Sequence, residues 1–89
     1  MQKFLVFTAD WCKPCNYLKE SLSTLTKLFP ELEVEYLDIA RYQDLVNKYA
    51  IRAVPTIIRL EEDVEVARKV GENDFNELNL FFNGDVNVR

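Results

Sequence analysis

The sequence predicts an α/β fold, a three-layer α/β/α sandwich on a mixed four-stranded sheet, with its elements in the order β-α-β-α-β-β-α. Three observations carry that expectation. "FLVF" at 4–7 is a continuous apolar run of strand length, the pattern of a strand covered on both faces. After residue 12 the apolar positions change to steps of three and four, the period of a helix. Further on, "PTIIRLE" (55–61) and "VEVARKV" (64–70) are separated only by Glu62-Asp63, which reads as a tight antiparallel hairpin. A strand–helix–strand crossover makes its two strands parallel and right-handed. The added hairpin then makes the sheet mixed.

Each element has its own justification. In the first helix Cys15, Leu18, Leu22, Leu25 and Phe29 form one apolar stripe, opposite Asn16, Lys19, Ser23 and Lys27, for about four turns. Pro14 falls in its first turn, where a missing N–H costs nothing, and Pro30 limits its extension. Cys12 therefore stands at the helix N-terminus and Cys15 on the buried stripe. "EVEYLDI" (33–39) alternates and reads as the second strand, and Tyr42, Leu45, Val46 and Tyr49 mark a short second helix. Asp74 and Glu77 have capping-box spacing and open a last helix with Phe75, Leu78, Phe81 and Phe82 on one side. Gly84 is placed to stop it, and residues 85–89 are expected to hang free.

Composition narrows the classes of function. The chain has 89 residues, the size of a single domain spanning 1–89. A formal net charge of -4 and a pI near 4.8 argue against nucleic acid or anionic membrane as partners. "MQKFLVFTAD" stops its apolar run at Asp10, too early for a signal peptide, and no stretch approaches the ~20 apolar residues of a membrane span. A cytoplasmic monomer is the expectation, in a compartment where thiols stay mostly reduced.

The two cysteines of the chain, Cys12 and Cys15, sit in "ADWCKPCNYL". Structural zinc takes four Cys or His ligands, and this chain has two Cys and no His, so no metal site is expected. A static disulfide fits the compartment poorly and would restrain little chain. A Cys-x-x-C beside a βαβ pattern reads as a redox motif, with Cys12 and Cys15 as the reacting pair.

Three stretches, "FTADWCKPC", "KYAIRAVPT" and "RKVG", resemble the thioredoxin family in the same order and at the same separations, over residues 3 to about 82. The resemblance implies the thioredoxin fold and protein-disulfide reduction without a cofactor. It also implies disulfide-containing proteins as substrates, with a thioredoxin-reductase-like or glutathione system for recycling. The chain resembles a trimmed member that begins at the central strand, without the family's usual first strand and helix. By this likeness Cys12 is the exposed nucleophile and Cys15 the buried resolving thiol. Thiolate is the attacking species, and helix N–H groups favour it. In thioredoxin, the reference case for this effect, the nucleophile has a pKa of about 7 against about 8.5 for a free thiol. Lower basicity also lowers nucleophilicity, so the larger benefit lies in holding Cys15 beside the mixed disulfide.

Other residues follow from the same likeness. Pro55 matches the family's cis-proline, and Val54 before it presents its backbone to substrate. Trp11 shields the site and offers an apolar surface, and Gly71 lines the substrate groove. Lys13 stands where the family commonly has glycine. With Pro14 it is expected to tune the couple, its charge favouring the Cys12 thiolate. A shift of ~30 mV corresponds to about 1.4 kcal/mol, and an exposed lysine supplies only a fraction of that. There are also departures. Val6 replaces the family's buried acid, Tyr36 its lysine partner, Glu20 a kinking proline, and Asp63 a turn glycine. Three alternatives stay open: a glutaredoxin-like reductant using glutathione, a dedicated electron donor to ribonucleotide reductase, and a non-catalytic binding subunit.

Overall fold

A computed structural model describes residues 2–71 and 75–84, without the side chains of 75, 83 and 84. Its elements are β1 (Gln2–Thr8), α1 (Lys13–Leu28), β2 (Val34–Asp38), α2 (Gln43–Lys48), β3 (Thr56–Glu61), β4 (Val64–Val70) and α3 (Phe75–Asn79), followed by a π-helical turn over Leu80–Gly84. The sheet order is β2-β1-β3-β4. β1 runs parallel to β2 and antiparallel to β3, and β3 is antiparallel to β4. The mixed sheet and its two flanking layers agree with the sequence expectation.

Alternation along β1 divides the core into two. Phe4 and Val6 join Leu18, Leu22 and Leu25 of α1, Ile57 of β3, and Leu78, Phe81 and Phe82 at the C-terminal end. Leu5 and Phe7 face the other way, with Leu37, Ile58 and Leu60, under Leu45, Val46 and Tyr49 of the α2 region. Because β1 contributes to both cores, none of its residues from Phe4 to Thr8 is more than 5% exposed. That is the physical reason for a strand that is apolar without interruption.

The last helix differs from the expectation. Gly84 does not follow it but lies inside the π-helical turn. The wider winding brings two consecutive aromatic residues to one core. Phe81 and Phe82 are both buried, with Phe82 stacked on Phe4 at 4.1 Å and Phe81 edge-on to it at 6.0 Å. Adjacent side chains of an α-helix stand about 100° apart, the width of one apolar stripe, and the wider turn brings the two rings closer in direction. The capping box involving Asp74, the side chain of Phe75 and the tail 85–89 lie outside the described residues. Arg59 is a second departure from pattern. It lies in β3 and is only 5% exposed, with its nearest carboxylate, Glu61, at 3.8 Å.

The β3–β4 turn forms without glycine. Glu62 and Asp63 both adopt positive φ, 52° and 67°, the pair of left-handed conformations that a two-residue hairpin requires. An L-residue with a side chain pays for this conformation about 1 kcal/mol. Asp63→Gly is therefore expected to stabilise the fold by about 0.5 kcal/mol after the glycine's extra unfolded-state entropy is counted. Thermal unfolding checks this: a rise of roughly 2–4 °C is expected, and a fall would show that entropy outweighs the relief at this turn.

At the far end of β4, Arg68 joins two layers. It donates to Glu65 at 2.6 Å and 2.9 Å, and to the Tyr49 carbonyl at the end of α2 at 2.8 Å. The Arg68 hydrogen bonds hold the Glu65 carboxyl below its ordinary value of 4.5. The pair thus contributes its small stabilisation above that pH and loses it as acid protonates Glu65.

Candidate active site

Strand register builds the site. Thr8, the last residue of β1, lies opposite Asp38 of β2, and Phe7 lies opposite Thr56, the first residue of β3. Thr56 in turn lies opposite Val70, the last residue of β4. The segments just beyond these ends are Ala9–Cys12, Ile39, Val54-Pro55 and Gly71, and the pairing draws all four to one end of the sheet. Two backbone bonds record the convergence: Ile39 N–H to the Thr8 carbonyl and Gly71 N–H to the Pro55 carbonyl, both 2.9 Å.

Cys12 and Cys15 form a disulfide, with Cα atoms 5.3 Å apart. Cys12 is the N-cap of α1, and its sulfur accepts a hydrogen bond from the Cys15 backbone N–H at 3.1 Å. A backbone donor at a helix N-terminus thus points at Cys12 Sγ, which is the geometry that favours negative charge there. The expectation of an exposed Cys12 needs correction. It retains 3% exposure and Cys15 none. Its sulfur is turned inward onto Cys15, and Ala9, Ile39 and Val54 pack around the pair. Of the two cysteines, only Cys12 keeps any contact with solvent.

Lys13 and Pro14 are the first two residues of α1, Lys13 exposed and Pro14 half-buried. No acidic side chain stands in that first turn, so Lys13 is the local charge next to Cys12. Trp11 is 76% exposed, beside the disulfide and not part of the core.

The Val54–Pro55 peptide bond is cis, as the likeness implied, and Pro55 is fully buried. The approach to it is shaped by the end of α2. Ile51 N–H bonds the Val46 carbonyl at 2.9 Å and Ala50 N–H the Asn47 carbonyl at 3.2 Å, while Ala50 takes φ of 51°. This is a Schellman-type stop, and it launches Ile51–Val54 toward the cysteines. Thr56 Oγ1 then fixes the loop by donating to the Ala53 carbonyl at 2.6 Å. Gly71 has φ of 91° with open space where a side chain would stand; its backbone angle, not crowding, calls for glycine.

Sequence reasoning did not single out Ala9, Ile39, Ile51 or Arg52. Ala9 and Ile39 pack around the cysteines. Ile39, Ile51 and Arg52 line a cavity of about 260 Å³ together with Trp11, Val46, Ala53 and Val54. The available signal was positional: Ile39 follows a strand parallel to β1, so it must emerge beside the residue that follows β1. Val6 lies directly opposite Tyr36, so the two positions where the family usually has an acid and a lysine are adjacent here. Burial raises the Tyr36 hydroxyl above its ordinary value, and Lys19 of α1 stands 5.8 Å from its ring. Among the described residues no cluster of three or more His, Cys, Asp or Glu could hold a metal ion, and no helix is long and apolar enough to cross a membrane.

Comparison with known proteins gives a consistent picture. The thioredoxin family model matches residues 2–83. A thioredoxin H-type from Fagopyrum esculentum is 37% identical over 65 residues, which are 73% of this chain and 56% of that protein. A thioredoxin from Echinococcus granulosus is 34% identical over 68 residues, 76% of this chain and 64% of its own length. The chain thus spans less than two thirds of the length of these relatives. Among solved structures, a mutant thioredoxin from Halobacterium salinarum superposes with a TM-score of 0.84 at 30% identity, covering 91% of this chain and 71% of that one. The thioredoxin of Fasciola hepatica gives 0.84 at 28% identity, with 91% and 77% covered.

Proposed function

Since the chain belongs to the thioredoxin family, we propose that it reduces disulfides in other proteins by dithiol exchange through Cys12 and Cys15. The observation that carries this is the disulfide at the N-terminus of α1 with the Cys15 N–H directed at Cys12 Sγ. In the reduced protein the Cys12 thiolate attacks one sulfur of the substrate disulfide. A Cys12–substrate bond forms, and the first substrate thiolate leaves and takes a proton from water. Cys15 then loses its proton and attacks Cys12 Sγ. That step closes the Cys12–Cys15 bond and releases the second substrate sulfur, which is protonated in turn. Two electrons and two protons pass to the substrate.

The remaining residues have roles in this reading. Trp11 and Val54 offer the substrate an apolar surface next to the sulfur pair. The Val54 backbone is the pairing edge for an extended segment, in the manner of strand addition, with Pro55 and Gly71 bordering the groove. Lys13 favours the Cys12 thiolate, and Pro14 sets the first turn of α1. The substrate is a disulfide-containing protein, recycling comes from a reductase or from glutathione, and the protein works as a monomer in a reducing compartment.

Insulin reduction with dithiothreitol as electron source tests the reading. The protein is expected to hasten precipitation of the insulin B chain at catalytic concentration. No acceleration over dithiothreitol alone would instead favour a subunit that uses this fold for binding.

A further inference from the structure

We propose that Arg52 makes this protein select disulfides flanked by an apolar residue and an acidic one. The cavity beside Trp11 seats the apolar side chain, and the Arg52 guanidinium pairs with the neighbouring carboxylate. The inference rests on the reductase reading above and names the substrate class of that same site.

The cavity measures about 260 Å³, below the roughly 300–1,000 Å³ of sites for small molecules. It suits one side chain. Trp11, Ile39, Val46, Ile51 and Val54 supply apolar walls, and Ile39 and Val54 also pack around the cysteines. A side chain lodged there therefore belongs to a segment that passes the reacting sulfurs.

Charge identifies the neighbour. Arg52 is the one charged residue among those lining the cavity. It is exposed, and among the described residues it forms no ion pair, whereas Lys3 and Arg68 are matched to Glu35 and Glu65. Lys13, also exposed, adds a second positive charge at the start of α1. Asp10 is the acidic residue nearest the cysteines in sequence, and it does not line the cavity. A planar guanidinium at the rim of an apolar slot matches a carboxylate in both charge and geometry. The apolar slot fits a side chain and lies beside the sulfur pair, so the occupant is a peptide segment carrying a disulfide, with the carboxylate held locally by Arg52 against the chain's overall net charge of -4. Successive side chains of an extended segment are about 3.3 Å apart along the chain and alternate in direction. One can enter the slot while the next reaches the rim.

The test uses oxidised two-cysteine peptides in which the attacked cysteine is followed by Leu-Glu, Leu-Lys or Gly-Glu. Values of kcat/KM are measured for the full chain and for Arg52→Glu at low salt. The unaltered protein is expected to favour Leu-Glu over Leu-Lys by about threefold to tenfold, as for an exposed pair switched from attraction to repulsion. It should favour Leu-Glu over Gly-Glu by about tenfold. Arg52→Glu should invert the charge preference while keeping leucine over glycine, and 0.5 M salt should erase the charge preference alone. Equal rates for the Glu and Lys peptides, or a preference unchanged in Arg52→Glu, would overturn the proposal. A small aromatic disulfide without flanking residues separates the two levels. Turnover of it without discrimination among peptides rejects the selectivity and leaves the reductase reading standing; no turnover of any substrate rejects both. Self-association that buries Trp11 and slows peptide reduction would assign the cavity to a second copy of this chain, against the proposal.

Discussion

Cys12→Ser is expected to abolish disulfide reduction, and Cys15→Ser to leave substrate proteins covalently attached to Cys12. A serine hydroxyl is not ionised at neutral pH and cannot attack sulfur, so activity should fall by at least about a thousandfold. In Cys15→Ser the attack still proceeds, but no internal thiol remains to open the mixed disulfide. Adducts should accumulate, survive denaturation without reductant, and disappear with dithiothreitol. The assignment follows from the helix geometry: Cys12 is the N-cap that receives the Cys15 N–H, and Cys15 is fully buried. Non-reducing electrophoresis followed by identification of the released proteins also separates partners. Several protein adducts support a protein reductase. Glutathione alone on Cys12, with continued activity on glutathione mixed disulfides, would indicate a glutaredoxin-like role. Capture by Cys12→Ser and not by Cys15→Ser would reverse the roles of the two cysteines.

Val6→Asp should be among the most damaging substitutions outside the disulfide. Val6 has no solvent exposure, lies opposite Ile57 on one side and Tyr36 on the other, and packs with the leucines of α1. An aspartate there must be buried as an unpaired charge or held protonated, and either costs free energy. A loss of about 2–4 kcal/mol is expected, or roughly 10–25 °C in melting temperature for a chain of this size. The penalty should grow as pH rises above the carboxyl's unfolded value, because its folded pKa would be raised and the unfolded chain would then release the proton first. An unchanged melting temperature would show that this end of β1 is hydrated. With valine and no carboxylate at position 6, proton removal from Cys15 in the proposed reaction would fall to water or to another group.

Much of the fold was legible because its signals are local. The run at 4–7, the stripe from Cys15 to Leu25 and the spacer of two residues between β3 and β4 each encode an element within a few positions. The cysteine motif and the "AVPT" stretch located two site segments and the cis peptide bond, through family likeness and not through periodicity. What escaped depended on pairing across the sheet. Arg52 and Ile39 are unremarkable in sequence and meet Trp11 only because three strand ends are in register. Cys12 was expected in the open, but the disulfide turns its sulfur inward. The π-helical turn was hidden because adjacent phenylalanines at 81 and 82 suit an amphipathic α-helix almost as well. The burial of Arg59 also depends on pairing, since it lies opposite Phe4, which has no solvent exposure.

β4 lies at an edge of the sheet, and it shows Val64, Val66 and Val70 to solvent. An open edge with exposed valines is a template for another chain, and what keeps copies apart is long-range repulsion between molecules of like charge. That repulsion vanishes near pH 4.8, where the carboxylates have lost enough charge to balance the lysines and arginines. The acid limit expected for this protein is then colloidal, and light scattering with circular dichroism across about pH 4–6 checks it: turbidity should rise while the secondary-structure signal is unchanged.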